Sequence, residues 1–367
     1  MAAPAPRART DFRHRCFSQV FLSRAIDPVS RMRPLRRTLL ASAVFLAIAV
    51  GLVAATAGVG AAKPTTGVVV IETSLDYQNA AAAGTGVVLR PDGQVLTNNH
   101  VIRGATRIRV LDPRTRRRYT ARVLGYSVTA DIAVLELQQA SGLATALLGS
   151  STSLRRGQMV VAVGNAGGTR TLVTTRGTIT ALARTITVQD GRGNAQQLTG
   201  LIQTNADLQP GDSGGPLLDR TGRVVGINSA ASAGFAFLSS GSEGYAIPIN
   251  RALSITRQID SGRGTAEIHV GPTAFLGVAV HPSGYYRGGY VPGALVDNVV
   301  PGGPADRAGL GPGDIIITIE GKRVSTPSGV ARVILRKKPG DTIRLTWVDR
   351  FGNRSSASVR LSSGPPQ

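Results

Sequence analysis

Between residues 66 and 250 the chain repeatedly builds a short apolar run and then cuts it with glycine or another turn former. Gly84-Thr85-Gly86 precedes the apolar VVL, Gly93 turns the chain into VLTNNHV, and IRV, YTARVLGY and DIAVLEL follow. Past Gly157 come MVVAVG, TLVTTRGTITAL, LIQTNA, GPLLD, VVGINSA and GYAIPI. Runs of this length, bounded by turn residues, read as strands. Many of them with almost no helical periodicity imply an all-β barrel or sandwich. Residues 251–261 are the best helical segment and would close this domain, which is assigned to residues 66–260.

A glycine-rich joint at residues 261–272, with Gly262, Gly264 and Gly271-Pro272, separates it from a second unit. Residues 273–363 hold the strands FLGVAV, GALVDNVV, DIIITIEG, TIRLTWVD and SASVRL. Two short helical segments interrupt them, at 304–308 and 326–337. This reads as a small, separate α+β domain.

The N-terminus is an address. Residues 38–62 carry no charge and follow Arg33, Arg36 and Arg37. Such a stretch is long enough to span a bilayer, and its basic flank holds the preceding side in the cytoplasm. It is expected to be a transmembrane helix, or a signal peptide cleaved at Ala55-Thr56-Ala57 or Gly60-Ala61-Ala62. Everything after Lys63 is then exported. Residues 1–37 are either a basic cytoplasmic tail or a mis-assigned start, since a well-formed signal peptide also begins at Met32.

Charge follows the same division. Of a formal net charge of +21, residues 1–37 carry +7 and the exported part +14. Arginines crowd a hairpin tip at Arg114, Arg116, Arg117 and Arg118, a solvated face or a surface for anionic envelope polymers and lipid headgroups. Basic residues are not interleaved with aromatics and no nucleic-acid motif occurs, so nucleic acid is not an expected partner. One cysteine, Cys16, excludes a disulfide framework, and four histidines make a structural metal site unexpected. No cofactor is implied.

Three fragments carry chemistry. His100 stands in TNNHV after a strand, Asp131 opens ADIAVLEL, and Ser213 lies in QPGDSGGP ahead of another strand. A serine hydroxyl is a poor nucleophile at neutral pH and needs a neighbouring base, which histidine supplies. The imidazole in turn needs a buried carboxylate to fix its tautomer and steady the imidazolium. Glycines around Ser213 let backbone N–H groups converge on the oxyanion of a tetrahedral intermediate.

His100, Asp131 and Ser213 with their surrounding motifs resemble the chymotrypsin-fold proteases, and within them the HtrA (DegP-like) family. TGVVL, GQVLTNNHV, ADIAVLEL, GDSGGPLLD and GYAIPIN carry the resemblance over roughly residues 67–255. It implies two six-stranded β-barrels with the site in the cleft between them. His100 would be the general base, Asp131 its orienting carboxylate and Ser213 the nucleophile, with the N–H groups of Gly211 and Ser213 as oxyanion hole. Ser229 falls where such proteases place a serine beside the catalytic carboxylate. Ala230 and Ala231 would line the strand that pairs with substrate. The chain departs from the family in carrying Asp212 where HtrA proteins usually have asparagine. Asp207, six residues before Ser213, is either a surface carboxylate or a determinant of P1 specificity.

The second unit resembles a PDZ domain. Phe275-Leu276-Gly277-Val278 matches its carboxylate-binding loop, where consecutive N–H groups turn toward a peptide C-terminus. The peptide would add as a strand beside residues 275–280, with the helix near 326–335 as the other wall. The resemblance thus implies an exported endopeptidase acting on unfolded or regulatory envelope proteins. The rival reading is a chaperone or binding protein whose protease domain is mostly inactive, with loops 185–199 and 230–243 as sensors. Family trimers form through the segment before the first barrel; here that is only about residues 63–66 plus the first strand, so a homotrimer is left open.

Overall fold

The computed structural model describes residues 63–190, 195–229, 235–237, 243–283, 285–286 and 289–367. The apolar stretch 38–62 lies outside them, and among the described residues no helix is long and apolar enough to cross a membrane. Strand β1 (Val68–Leu75) pairs antiparallel with β2 (Ala80–Val88), from Val68↔Val87 to Leu75↔Ala80. After β3 (Gln94–Thr97) comes a single helical turn, α1 (Asn99–Ile102), then β4 (Arg107–Leu111), β5 (Arg118–Ser127) and β6 (Ile132–Leu137). The order β5-β4-β1-β2-β3-β6 closes on itself, because β6 pairs with β5 as well as β3.

Alternation shows why these residues choose sheet. Ile108, Val110, Tyr119 and Ala121 are buried while Arg107, Arg109, Arg118 and Arg122 face solvent, the period-two signature of a half-buried strand. The β4–β5 turn exposes Arg114, Arg116 and Arg117, and the Asp112 carboxylate caps it by accepting from the Arg114 N–H at 2.9 Å and the Thr115 hydroxyl at 2.8 Å.

The second ring is built from β7 (Met159–Gly164), β8 (Val173–Asp190), β9 (Ala195–Thr204), β10 (Pro216–Leu218), β11 (Val224–Ser229), β12 (Phe235–Phe237) and β13 (Gly244–Pro248). The order β8-β7-β10-β11-β13-β9 closes through β8–β9, and β12 lies outside on β8. The described parts of 185–199, read from sequence as a loop, extend the strands β8 and β9. Ile186, Val188 and Leu198 alternate inward there and are buried, with Ile186 opposite Leu198. Of the other expected sensor loop, 230–243, only 235–237 and 243 are described.

Each barrel has its own core, around Ile71, Val95 and Leu135 in the first and Val160, Ile202 and Ala246 in the second. A third cluster joins them, combining Val87, Leu96 and Val134 with Val163, Leu218 and Ile227. Helix α2 (Ile249–Asp260) seals it with Ile249, Ala252, Ile255 and Ile259, packing on strands of both barrels. The joint that follows is not wholly a linker. Strand β14 (His269–Val270) adds to β5, and Gly125 permits this because a Cβ there would lie 2.5 Å from the His269 carbonyl oxygen.

The remaining elements are β15 (Thr273–Phe275), β16 (Val278–Pro282), β17 (Tyr285–Tyr286), β18 (Gly289–Tyr290), β19 (Ala294–Val299), α3 (Pro304–Arg307), β20 (Ile315–Ile319), β21 (Lys322–Arg323), α4 (Pro327–Ile334), β22 (Thr342–Val348), β23 (Arg354–Arg360) and β24 (Ser362–Gly364). One sheet runs β16-β19-β20-β22-β23, with β16 at its edge. Val296, Ile316, Leu345, Trp347 and Ile334 form a core separate from those of the barrels. Helix α4 packs against β16 and β19, and Thr326 caps it by accepting from the Gly329 N–H at 3.3 Å.

Candidate active site between the two barrels

His100 sits in α1, just beyond β3. Its Nδ1 lies 2.8 Å from Asp131 Oδ2, and its own backbone N–H donates to Asp131 Oδ1 at 2.9 Å. The two side chains are 6% and 3% exposed, so little water competes for the pair. Asp131 adopts a left-handed φ of +54°, a conformation that aspartate tolerates better than most residues. The Asn98 side chain donates to its carbonyl oxygen at 2.9 Å. From the second barrel, Ser229 Oγ reaches Asp131 Oδ2 at 3.4 Å. A carboxylate bonded to Nδ1 makes that nitrogen the protonated one and leaves Nε2 as the basic nitrogen of the ring.

Ser213 is buried in the loop before β10, and its carbonyl oxygen accepts from the Thr85 N–H of β2 at 2.8 Å. Thr85 Oγ1 donates to the Gly211 carbonyl at 2.7 Å and accepts from the Asn165 N–H at 2.9 Å. One threonine of the first barrel therefore holds both sides of the serine loop. Gly211 has φ +101° and a Cβ there would lie 2.1 Å from Asn165 O; Gly214 has φ +84° and its Cβ would lie 2.1 Å from Thr85 O. No other residue fits either position. Gly84 separates α1 from this loop closely, since a Cβ on it would meet Val101 at 2.6 Å and Ser213 O at 3.3 Å. The sequence alone does not mark Thr85 or Asn98 as site residues. Asn98 was visible inside TNNHV, and Thr85 inside GTG.

Asp212, 4% exposed, accepts from the Gln209 N–H at 2.9 Å through Oδ2. Its Oδ1 packs on Gly164 and has no hydrogen-bond partner among the described residues. Burial pushes its carboxyl above the ordinary carboxylate range; the Gln209 N–H opposes this and the charge of Asp207 adds to it. Asp207 itself is exposed and accepts from the Gln209 side chain at 2.6 Å. Ala230 and Ala231 lie outside the described residues.

In the smaller domain, Gly277 takes φ +83°, and the Leu276 and Gly277 carbonyls accept from the Ala305 and Val300 N–H groups at 3.0 and 2.9 Å. Those bonds pin the Phe275–Val278 turn by its carbonyl side. Leu276 is buried, Val278 begins the edge strand β16, and the Phe275 ring stacks on Tyr77 of the first barrel at 5.4 Å.

The sequence matches the trypsin-like peptidase domain over residues 84–227 and the PDZ domain over 274–361. It is 34% identical to a periplasmic serine endoprotease DegP-like protein of Hahella chejuensis over 78% of this chain and 58% of that one. The serine protease PepD of Mycobacterium tuberculosis is 34% identical over 82% of this chain and 65% of its own. The chain thus spans about three fifths of the length of these relatives. A Synechocystis protein described as serine protease HhoA is 34% identical, over 77% of this chain and 71% of its own. Among solved structures, HtrA-type protease AlgW with decapeptide is 28% identical over 83% of this chain and 97% of its own, at a TM-score of 0.46. The identity of about one third to serine proteases of the DegP-like kind, over 71% of the Synechocystis relative's own length, makes the chain a member of the HtrA (DegP-like) family of serine proteases.

Proposed function

We propose that the protein is a serine endopeptidase of the cell envelope that cleaves misfolded or regulatory proteins, with its PDZ domain binding peptide C-termini. The observation that carries this reading is the buried His100–Asp131 pair, 2.8 Å between Nδ1 and Oδ2, set across the barrel cleft from the Ser213 loop. Ser213 Oγ attacks the scissile carbonyl while His100 Nε2 takes its proton. Asp131 holds the imidazolium, and Ser229 holds Asp131. The oxyanion is received by the N–H groups of Gly211 and Ser213, and each such donor is worth roughly 3–4 kcal/mol in the transition state. Collapse breaks the C–N bond, His100 returns the proton to the departing amine, and water then hydrolyses the acyl-enzyme by the same route.

Residues 66–260 are the protease domain, 261–272 the joint and 273–363 the PDZ domain. Residues 38–62 are the export signal or membrane anchor, consistent with relatives named periplasmic. Phe275, Leu276, Gly277 and Val278 are the peptide-carboxylate loop, and Ala230 and Ala231 belong to the substrate strand. Asp207, exposed, is a surface carboxylate.

Ser213→Ala tests the chemistry. It is expected to slow casein hydrolysis by about 10⁶, the loss seen when a triad acts as a unit. A fluorophosphonate probe should label wild type at Ser213 and leave the variant unlabelled. Cleavage by Ser213→Ala at the wild-type rate overturns the assignment.

A further inference from the structure

Residues 364–367 return from the smaller domain to the first barrel and settle on the turn that carries His100. Strand β24 pairs with β15, Thr273 opposite Gly364 and Phe275 opposite Ser362. Gly364 is required there, because a Cβ would lie 2.3 Å from the Phe275 ring. Beyond it the chain makes three bonds to the barrel. The Pro366 carbonyl accepts from the Gly104 N–H at 2.8 Å, the main-chain oxygen of Gln367 accepts from Asn99 Nδ2 at 3.1 Å, and the Gln367 N–H donates to Tyr126 Oη at 3.3 Å. Tyr126 Oη also meets Thr273 Oγ1 at 3.2 Å, and Pro366 is buried.

The bonded positions matter more than their number. Helix α1 is Asn99–Ile102, so Asn99 opens it and Gly104 lies two residues past its end. The segment therefore grips both sides of the one turn that holds His100. A single turn of helix has no stability of its own, because nucleation costs more than one hydrogen bond returns. Its N-cap position gives no help, since Asn98 makes no side-chain cap bond and its amide N–H goes to the Asp131 carbonyl. Asn99 is 2% exposed and spends its amide N–H on Gln367.

We propose that residues 364–367 are a positioning clasp for His100, and that Asn99 is the residue through which the clasp acts. The inference rests on His100 being the general base. The clasp touches no substrate. It fixes the orientation of the imidazole, where a misplacement of about 1 Å costs on the order of 100-fold in rate.

The test removes residues 365–367 from the full chain and, separately, makes Asn99→Ala, then combines the two. Each is measured for kcat and KM on a peptide substrate, with sites counted by fluorophosphonate titration so that misfolded protein is excluded. Each single change is expected to lower kcat per titrated site about 10-fold or more while KM stays within about twofold, and the combination to cost no more than either alone. Unchanged kcat in the deletion overturns the clasp. So do additive losses, or a loss that vanishes once sites are counted, which would mark a purely structural role. A wild-type protein that titrates no sites at all refutes the reading of the active site instead, so the two failures are told apart.

Discussion

A single carboxylate shows how far one side chain can depart from its family without losing its place. Asp212 stands where HtrA proteins usually carry asparagine, 4% exposed, with Oδ1 against Gly164 and lacking a hydrogen-bond partner among the described residues. Asparagine would keep the acceptor that the Gln209 N–H uses and shed the charge. Because burial raises the folded carboxyl above its ordinary value, the native state holds a proton that the unfolded chain has released over the window between the two. Stability must then fall as pH rises through that window. Asp212→Asn should therefore melt higher than wild type, by roughly 2 °C or more at about pH 8, with the gap closing as pH falls below about 4. Melting curves across that range decide it; a gap independent of pH would mean that the carboxyl is not the cause.

Elements differ in how plainly the sequence announced them. The strands β4, β5 and β6 were legible because alternation or an unbroken apolar run survives in the residue order. Helix α2 was legible within two residues, since Ile249, Ala252, Ile255 and Ile259 keep helical spacing. His100, Asp131 and Ser213 were legible as motifs. Thr85 and Asn99 were not, because what makes them matter is a partner 126 and 268 residues away. Helix α1 is too short for a period, and β14 is two residues whose strand character comes from β5 rather than from their own preference. Helix α4 gives the test at this scale. Its Thr326 cap satisfies the Gly329 N–H at 3.3 Å, and the helix carries Val330 and Ile334 into the smaller core. Thr326→Ala should cost about 1 kcal/mol and, if the proposed peptide groove runs between β16 and α4, weaken binding of C-terminal peptides. Denaturant titration with a peptide-binding isotherm checks both; a change below about 0.3 kcal/mol would show that the cap is idle.

At the scale of the molecule, the barrels share what each would need in order to stand alone. The cluster joining Val87, Leu96 and Val134 to Val163, Leu218 and Ile227 is sealed by α2, and breaking it would expose apolar surface from both sides at once. Thr85 adds the polar part of that junction with its bonds to Gly211 O and Asn165 N–H. The smaller domain keeps a core of its own and meets the first barrel through the Tyr77–Phe275 stack, β14 and residues 364–367. Two barrels with a common core should unfold in one step, whereas a domain with a separate core can unfold apart from them. Calorimetry is therefore expected to give one transition for both barrels and a second for the smaller domain. Thr85→Val preserves the shape but leaves the Gly211 carbonyl and the Asn165 N–H buried without that partner, at a cost of roughly 1–3 kcal/mol each. It should lower the barrel transition by several degrees, about 2–4 °C per kcal/mol, and leave the other where it was. Activity should fall with it, because the same threonine holds the loop of Ser213. Separate melting of the two barrels, or a Thr85→Val shift confined to the smaller domain, would break the link between a shared core and a cleft that stays assembled.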